Sequence, residues 1–191
     1  TVDTPVDISK YQSALGADFG PLSKLTKDGK IALWGVTPGK NQINVSKYKK
    51  LQEGDIAIFT KDNFAFASAK IVYLFHNKEV ATDIWSTDPD GQTWEYMYAL
   101  DEVRDLNIPY LDFNNAVGYA PNYVIQGFNV LDETKSEAFL DAFDLRAQRI
   151  EWPPDLEEVA NAIIEFEELD RRFQAVQRLE QGALREHLLQ G

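Results

Sequence analysis

Short apolar runs rich in β-branched and aromatic residues, separated by turn residues, extend from residue 30 to about residue 128 and predict a mainly β region. It opens with the strand Ile31-Ala32-Leu33-Trp34-Gly35-Val36 and the loop Thr37-Pro38-Gly39-Lys40-Asn41-Gln42. Residues 45–51 then carry apolar positions at helical spacing, and Gly54-Asp55 ends that helix and starts the strand Ile56-Ala57-Ile58-Phe59. Residues 64–75 read as one or two strands, with small and aromatic residues alternating in the first half. Residues 81–85 read as a short strand ending in the turn Asp88-Pro89-Asp90-Gly91, and residues 94–100 as another strand. Residues 101–106 read as a short helix or a loop, 114–122 as a long polar loop, and 123–128 as the strand that closes the β region.

Helical spacing flanks this region. Residues 9–15 predict one or two helical turns, and Gly16, Gly20, Pro21 and Gly29 mark the rest of the lead-in as loop. Asp132 is an N-cap for a helix through about residue 143, with Ala138, Phe139, Ala142 and Phe143 on one face. At Trp152-Pro153-Pro154 the character changes. Asp155 with Glu158 resembles a capping box, and Leu156, Val159, Ala160, Ile163, Phe166, Phe173, Val176 and Leu179 form a helical stripe. The segment is acidic, with five Arg against ten Asp and Glu from residue 149 onward. The organisation is therefore a domain over residues 1–148 and a helical linker or docking arm over 149–191, whose apolar stripe offers a homodimer contact. Segregated strands and helices give the class α+β, with a compact, partly closed barrel and peripheral helices.

Composition narrows the functions. At 44% hydrophobic and 12% aromatic the chain can bury a core. No run of about 18 apolar residues is available to span a membrane. The start, TVDTPVDISKYQ, has neither a basic nor an apolar leader region, and Cys is absent, so no disulfide framework or thiolate metal site exists. These features favour the cytoplasm. The formal net charge of −12 argues against general nucleic-acid binding, but its distribution is uneven. From Lys24 to Lys50 there are seven Lys and a single acid, Asp28, enough for a local basic face or a lysine-rich solvated surface.

Catalytic chemistry is thin. His76 and His187 lie in different segments, without the partners of a zinc site or a Ser-His-acid triad, and no Walker or GxGxxG motif occurs. No cofactor is expected in this chain. The tryptophans carry more. Trp34 and Trp85 stand at predicted strand ends before small or polar residues, and Trp94 follows after a turn. Each alone suits a core; together at one barrel mouth they would sandwich a flat ring.

Ile31-Ala32-Leu33-Trp34-Gly35-Val36-Thr37, Ile84-Trp85-Ser86-Thr87-Asp88 and the Leu-x-x-Gly-Asp entry at Leu51 to Asp55 resemble the EVE/YTH branch of the PUA-like superfamily, across roughly residues 28–145. That resemblance implies a reader that takes a modified base into an aromatic cage, here Trp34, Trp85 and Trp94. Gly35, Asn41, Gln42 and Ser86 would then meet the base edge, since amides suit adenine or cytosine. Lys40, Lys47, Lys49 and Lys50 would hold phosphates. Residues 178–189, RLEQGALREHLL, are similar to the helix preceding the HNH module of modification-dependent restriction endonucleases, which implies the non-catalytic targeting part of such an enzyme. A divalent metal would belong to that attached module alone. The implied partner is DNA carrying N6-methyladenine, 5-methylcytosine or 5-hydroxymethylcytosine. Two alternatives stand beside it: an RNA reader of the N6-methyladenosine type, and a protein-interaction domain with no base pocket.

Overall fold

The computed structural model describes residue 2 and residues 4–145, which lie in the first of two compact units, Thr1–Leu145. The expected arm over 149–191, its capping box and the stretch 178–189 lie outside the described residues.

The unit is α+β, built on one five-stranded antiparallel sheet in the order β1-β2-β5-β4-β3. The strands are β1 Val6–Asp7, β2 Lys30–Val36, β3 Ile56–Lys61, β4 Phe64–His76 and β5 Tyr96–Pro109. Side chains alternate across it as a pleated strand requires. Ile31 and Leu33 of β2 and Met97 and Ala99 of β5 enter one cluster, while Ala32, Tyr98 and Leu100 enter a second on the opposite face.

Bulges curl this sheet. The β4–β5 register shifts between Ile71 and Tyr73, and the faces change with it: Ile71 packs in the second cluster, whereas Val72 and Tyr73 both pack on the first. Ala67 and Ala69, almost wholly buried, keep the second face thin. As a result Trp34 of β2 and Phe59 of β3, with two strands between them in the sheet order, meet edge-to-face at 5.0 Å. The second face is thus the inside of a partly closed barrel.

Helices cover the rest. α1 Gln12–Leu15 and α2 Phe19–Leu25, with short 3-10 turns at Ile8–Tyr11 and Gly16–Asp18, bring Ile8, Leu15 and Leu22 onto the first face. The Gly and Pro residues after residue 15 predict loop, and the structure corrects this to helix. Pro21 instead sits in the first turn of α2, where its missing N–H leaves no bond unmade. α3 Ile43–Tyr48 sits near the inner face, and the Tyr48 hydroxyl donates to the carbonyls of Phe75 (3.0 Å) and Met97 (2.6 Å). The Leu-x-x-Gly-Asp turn follows, with Gly54 at φ 100 and the Asp55 carboxylate accepting from Gln52 N.

Four further expectations are corrected. Residues 81–85 belong to a helix, α4 Lys78–Trp85, capped by the Asn77 side chain, which accepts from Val80 N; Val80, Ala81, Ile84 and Trp85 form its buried face. Residues 101–106 continue β5, paired with β4 through its bulges. Asn114 and Asn115 lie in α5 Tyr110–Val117, ended by Gly118 at φ 72. Residues 123–128 form no strand. The closing helix, α6 Glu133–Ala142, has the expected Asp132 cap, accepting from Lys135 N, and packs Phe139 into a third cluster with Phe113 and Val117 of α5.

Candidate nucleic-acid interface

Because Val36 at the end of β2 pairs with Tyr96 at the start of β5, the segments 37–42 and 86–95 leave the same end of the sheet. They are tied together: Gly39 N donates to Gln92 Oε1 at 3.1 Å. Each is also braced internally. In the first, Asn44 donates through N to Pro38 O and through Nδ2 to Thr37 O, both at 3.1 Å. In the second, Asp88 Oδ1 accepts from Asp90 N and Gln92 N, and the buried Thr93 hydroxyl donates to Ser86 O at 2.8 Å. The sequence pattern marks Asp88-Pro89-Asp90-Gly91 as a turn but does not single out Gln92 or Thr93. A turn signal announces a change of direction, not the side chains that fix it.

Three of the expected base-edge residues hold left-handed backbone: Asn41 (φ 54), Gln42 (φ 58) and Ser86 (φ 64). Each such non-glycine costs on the order of 1–3 kcal/mol and persists only where the surroundings hold it, a pattern concentrated at ligand sites. Asn41, Gln42 and Ser86 are exposed, on the two segments that Gly39 and Gln92 join.

Gly35 is different. It is buried, and a methyl group placed on it would lie 2.2 Å from the Trp94 carbonyl oxygen. The space in front of Gly35 is filled by the backbone of residue 94, so it is a close-packing glycine and makes no base-edge contact.

The tryptophans divide by face. Trp34 lies between Ala32 and Val36 on the inner face, packed on the second cluster. Trp85, at the end of α4, packs on the first cluster outside the curl. No ring contact joins Trp34, Trp85 and Trp94 among the described residues. The expected three-walled cage is therefore not assembled here, because strand parity sends Trp34 inward while α4 lies on the outer face. Trp94, 37% exposed, runs along the Gly35 side of β2 and presents the most open of these three rings.

The lysines also divide. Lys40, Lys49 and Lys50 are exposed and held in no ion pair among the described residues. Lys47 Nζ instead donates to Phe128 O (2.7 Å) and Asn129 Oδ1 (2.8 Å), tying α3 to the segment before α6. Two of its three protons are committed within the domain. Beside Trp94, the largely buried Glu95 carboxylate lies 3.1 Å from His76 Nε2 and 3.9 Å from Lys78 Nζ. Among the described residues no group of three or more His, Cys, Asp or Glu is placed to hold a metal ion, and no helix is long and apolar enough to cross a membrane.

No protein-family model and no curated protein matches the chain. A solved structure does: the N-terminal domain of Thermococcus gammatolerans McrB bound to m5C DNA, with a TM-score of 0.50 and 16% identity over 78% of this chain and 88% of that one. At that identity the likeness is one of fold, and it agrees with the curled α+β architecture described above.

Proposed function

We propose that this domain binds DNA carrying a modified base, with 5-methylcytosine the first candidate, and holds the base outside the duplex stack at the joined segments 37–42 and 86–95. The observation that carries the reading is the shared fold with a domain bound to m5C DNA. The exposed, left-handed residues Asn41, Gln42 and Ser86, on two joined segments of which the second carries the exposed Trp94, support it. A base must leave its stack to be read on its Watson–Crick edge, and amides and hydroxyls on a rigid seat suit that edge. Trp94 supplies the stacking face and Trp85 backs the same segment, while Trp34 supports the sheet end from inside. Lys40, Lys49 and Lys50 supply phosphate contacts. The likeness of residues 178–189 to the helix preceding an HNH module makes targeting of a modification-dependent nuclease the proposed setting.

The test is anisotropy titration of the 191-residue chain with duplexes differing at one position: cytosine, 5-methylcytosine, 5-hydroxymethylcytosine, adenine or N6-methyladenine. Tighter binding to a modified duplex is expected, with the preference lost in Trp94→Ala. Equal affinity for all five sinks the reading, and single-stranded RNA outcompeting every duplex replaces it with an RNA reader.

A further inference from the structure

We infer that Ile43 is the wedge that fills the gap left in the duplex when the modified base leaves the stack; this rests on the base-reading function proposed above. Ile43 is 56% exposed, the most exposed large apolar side chain among the described residues. A lone exposed isoleucine carries little meaning. Its seat carries more. It follows two consecutive left-handed residues, Asn41 and Gln42, at the start of α3. Its Cγ2 lies 3.2 Å from the position a methyl group on Gly39 would take, so its stem rests on that glycine, whose N–H is fixed to Gln92. The hydrogen bonds of Asn44 to Pro38 O and Thr37 O hold the next turn. The side chain is β-branched and stiff about χ1, so little rotamer freedom is lost on insertion.

The surroundings select the occupant. From residue 37 to residue 50 the chain has no Asp or Glu and four Lys, of which Lys40, Lys49 and Lys50 are exposed. An apolar side chain on a braced turn, in a stretch of chain that carries cations and amides and no acid, fits an anionic duplex whose bases part at one step. Proteins that kink or open DNA insert Ile, Leu, Met or Phe in this way. Removing a base from the stack leaves an apolar gap of that size on the other side of the same event.

The experiment compares the 191-residue wild type, Ile43→Ala and Ile43→Met on the preferred modified base in two settings, a duplex and the isolated single strand. Circular dichroism confirms that both variants fold. In the duplex a gap must be filled; in the single strand there is none. Ile43→Ala is expected to bind the modified duplex roughly tenfold more weakly and the modified single strand unchanged, with Ile43→Met near wild type on both. Unchanged duplex binding by Ile43→Ala overturns the wedge, as does an equal loss on both substrates. A wild type with no preference for a modified base in either setting overturns the reading beneath it, and the wedge with it.

Discussion

The Trp94 carbonyl against Gly35 is the tightest constraint in the interface. A Cβ at residue 35 would have to displace backbone, not the end of a flexible side chain, and that backbone leads directly into β5. Gly35→Ala is therefore expected to lower unfolding free energy by about 1–3 kcal/mol in urea titrations. It should also displace segment 86–95, so that discrimination between modified and unmodified duplexes falls along with stability. Trp94→Ala separates the two effects. Trp94 is only 37% exposed, so the variant is compared at a temperature where circular dichroism shows it folded, and binding to the modified duplex should then lose roughly 1–3 kcal/mol of stacking. Retained discrimination in that variant would remove Trp94 from the site. The sequence places Trp34, Trp85 and Trp94 near the ends of predicted elements, but the side each faces is not legible there. A strand's parity depends on pairing with β5, more than 60 residues away in the chain, and on a helix that covers one face only.

Among the elements, those with strong local signals formed where expected. β2 is a dense apolar run, α6 has an acidic cap, and Gly54-Asp55 turns the chain into β3. Where local signals conflicted, tertiary packing prevailed. Thr82 and Ile84 are β-branched and Trp85 is aromatic, but the apolar spacing from Val80 to Ile84 is helical, and the Asn77 cap begins α4. The polar half of β5 has no alternation of its own and is a strand because β4 pairs with it. α3 is short and depends on anchors. Tyr48 ties it to the carbonyls of Phe75 and Met97, and Lys47 ties it to Phe128 and Asn129. Tyr48→Phe removes the single hydroxyl proton shared between the Phe75 and Met97 carbonyls and is expected to cost about 1–2 kcal/mol of stability. Hydrogen exchange should show the loss first in residues 43–48; uniform loss of protection across the sheet would contradict an anchoring role.

At the scale of the whole molecule, titrating groups and net charge set behaviour against pH and salt. Burial raises the hydroxyl pKa of Tyr48 and Tyr98, and desolvation with the Asp83 contact pushes Tyr11 up to about 12. Unfolded tyrosine titrates near ~10, so their stabilising contribution is intact below that pH and is lost as pH rises through the folded values. Unfolding free energy should therefore fall above about pH 10, with a shallower slope in Tyr98→Phe. Salt tests the interface itself. A chain of net charge −12 repels DNA at long range, so binding must come from a few local cations. With Lys47 engaged inside the domain, Lys40, Lys49 and Lys50 remain, and each neutralised phosphate contributes about −0.9 to the slope of log K against log salt. The expected slope is about −3, becoming shallower by roughly one for each of these lysines changed to Gln. Lys47→Gln should leave the slope unchanged while lowering stability, because it breaks the tie to Phe128 and Asn129 without removing a phosphate contact. A slope that falls equally for Lys47→Gln and Lys49→Gln would show that Lys47 releases its internal partners on binding. It would also restore Lys47 to the phosphate face that the sequence assigned to it.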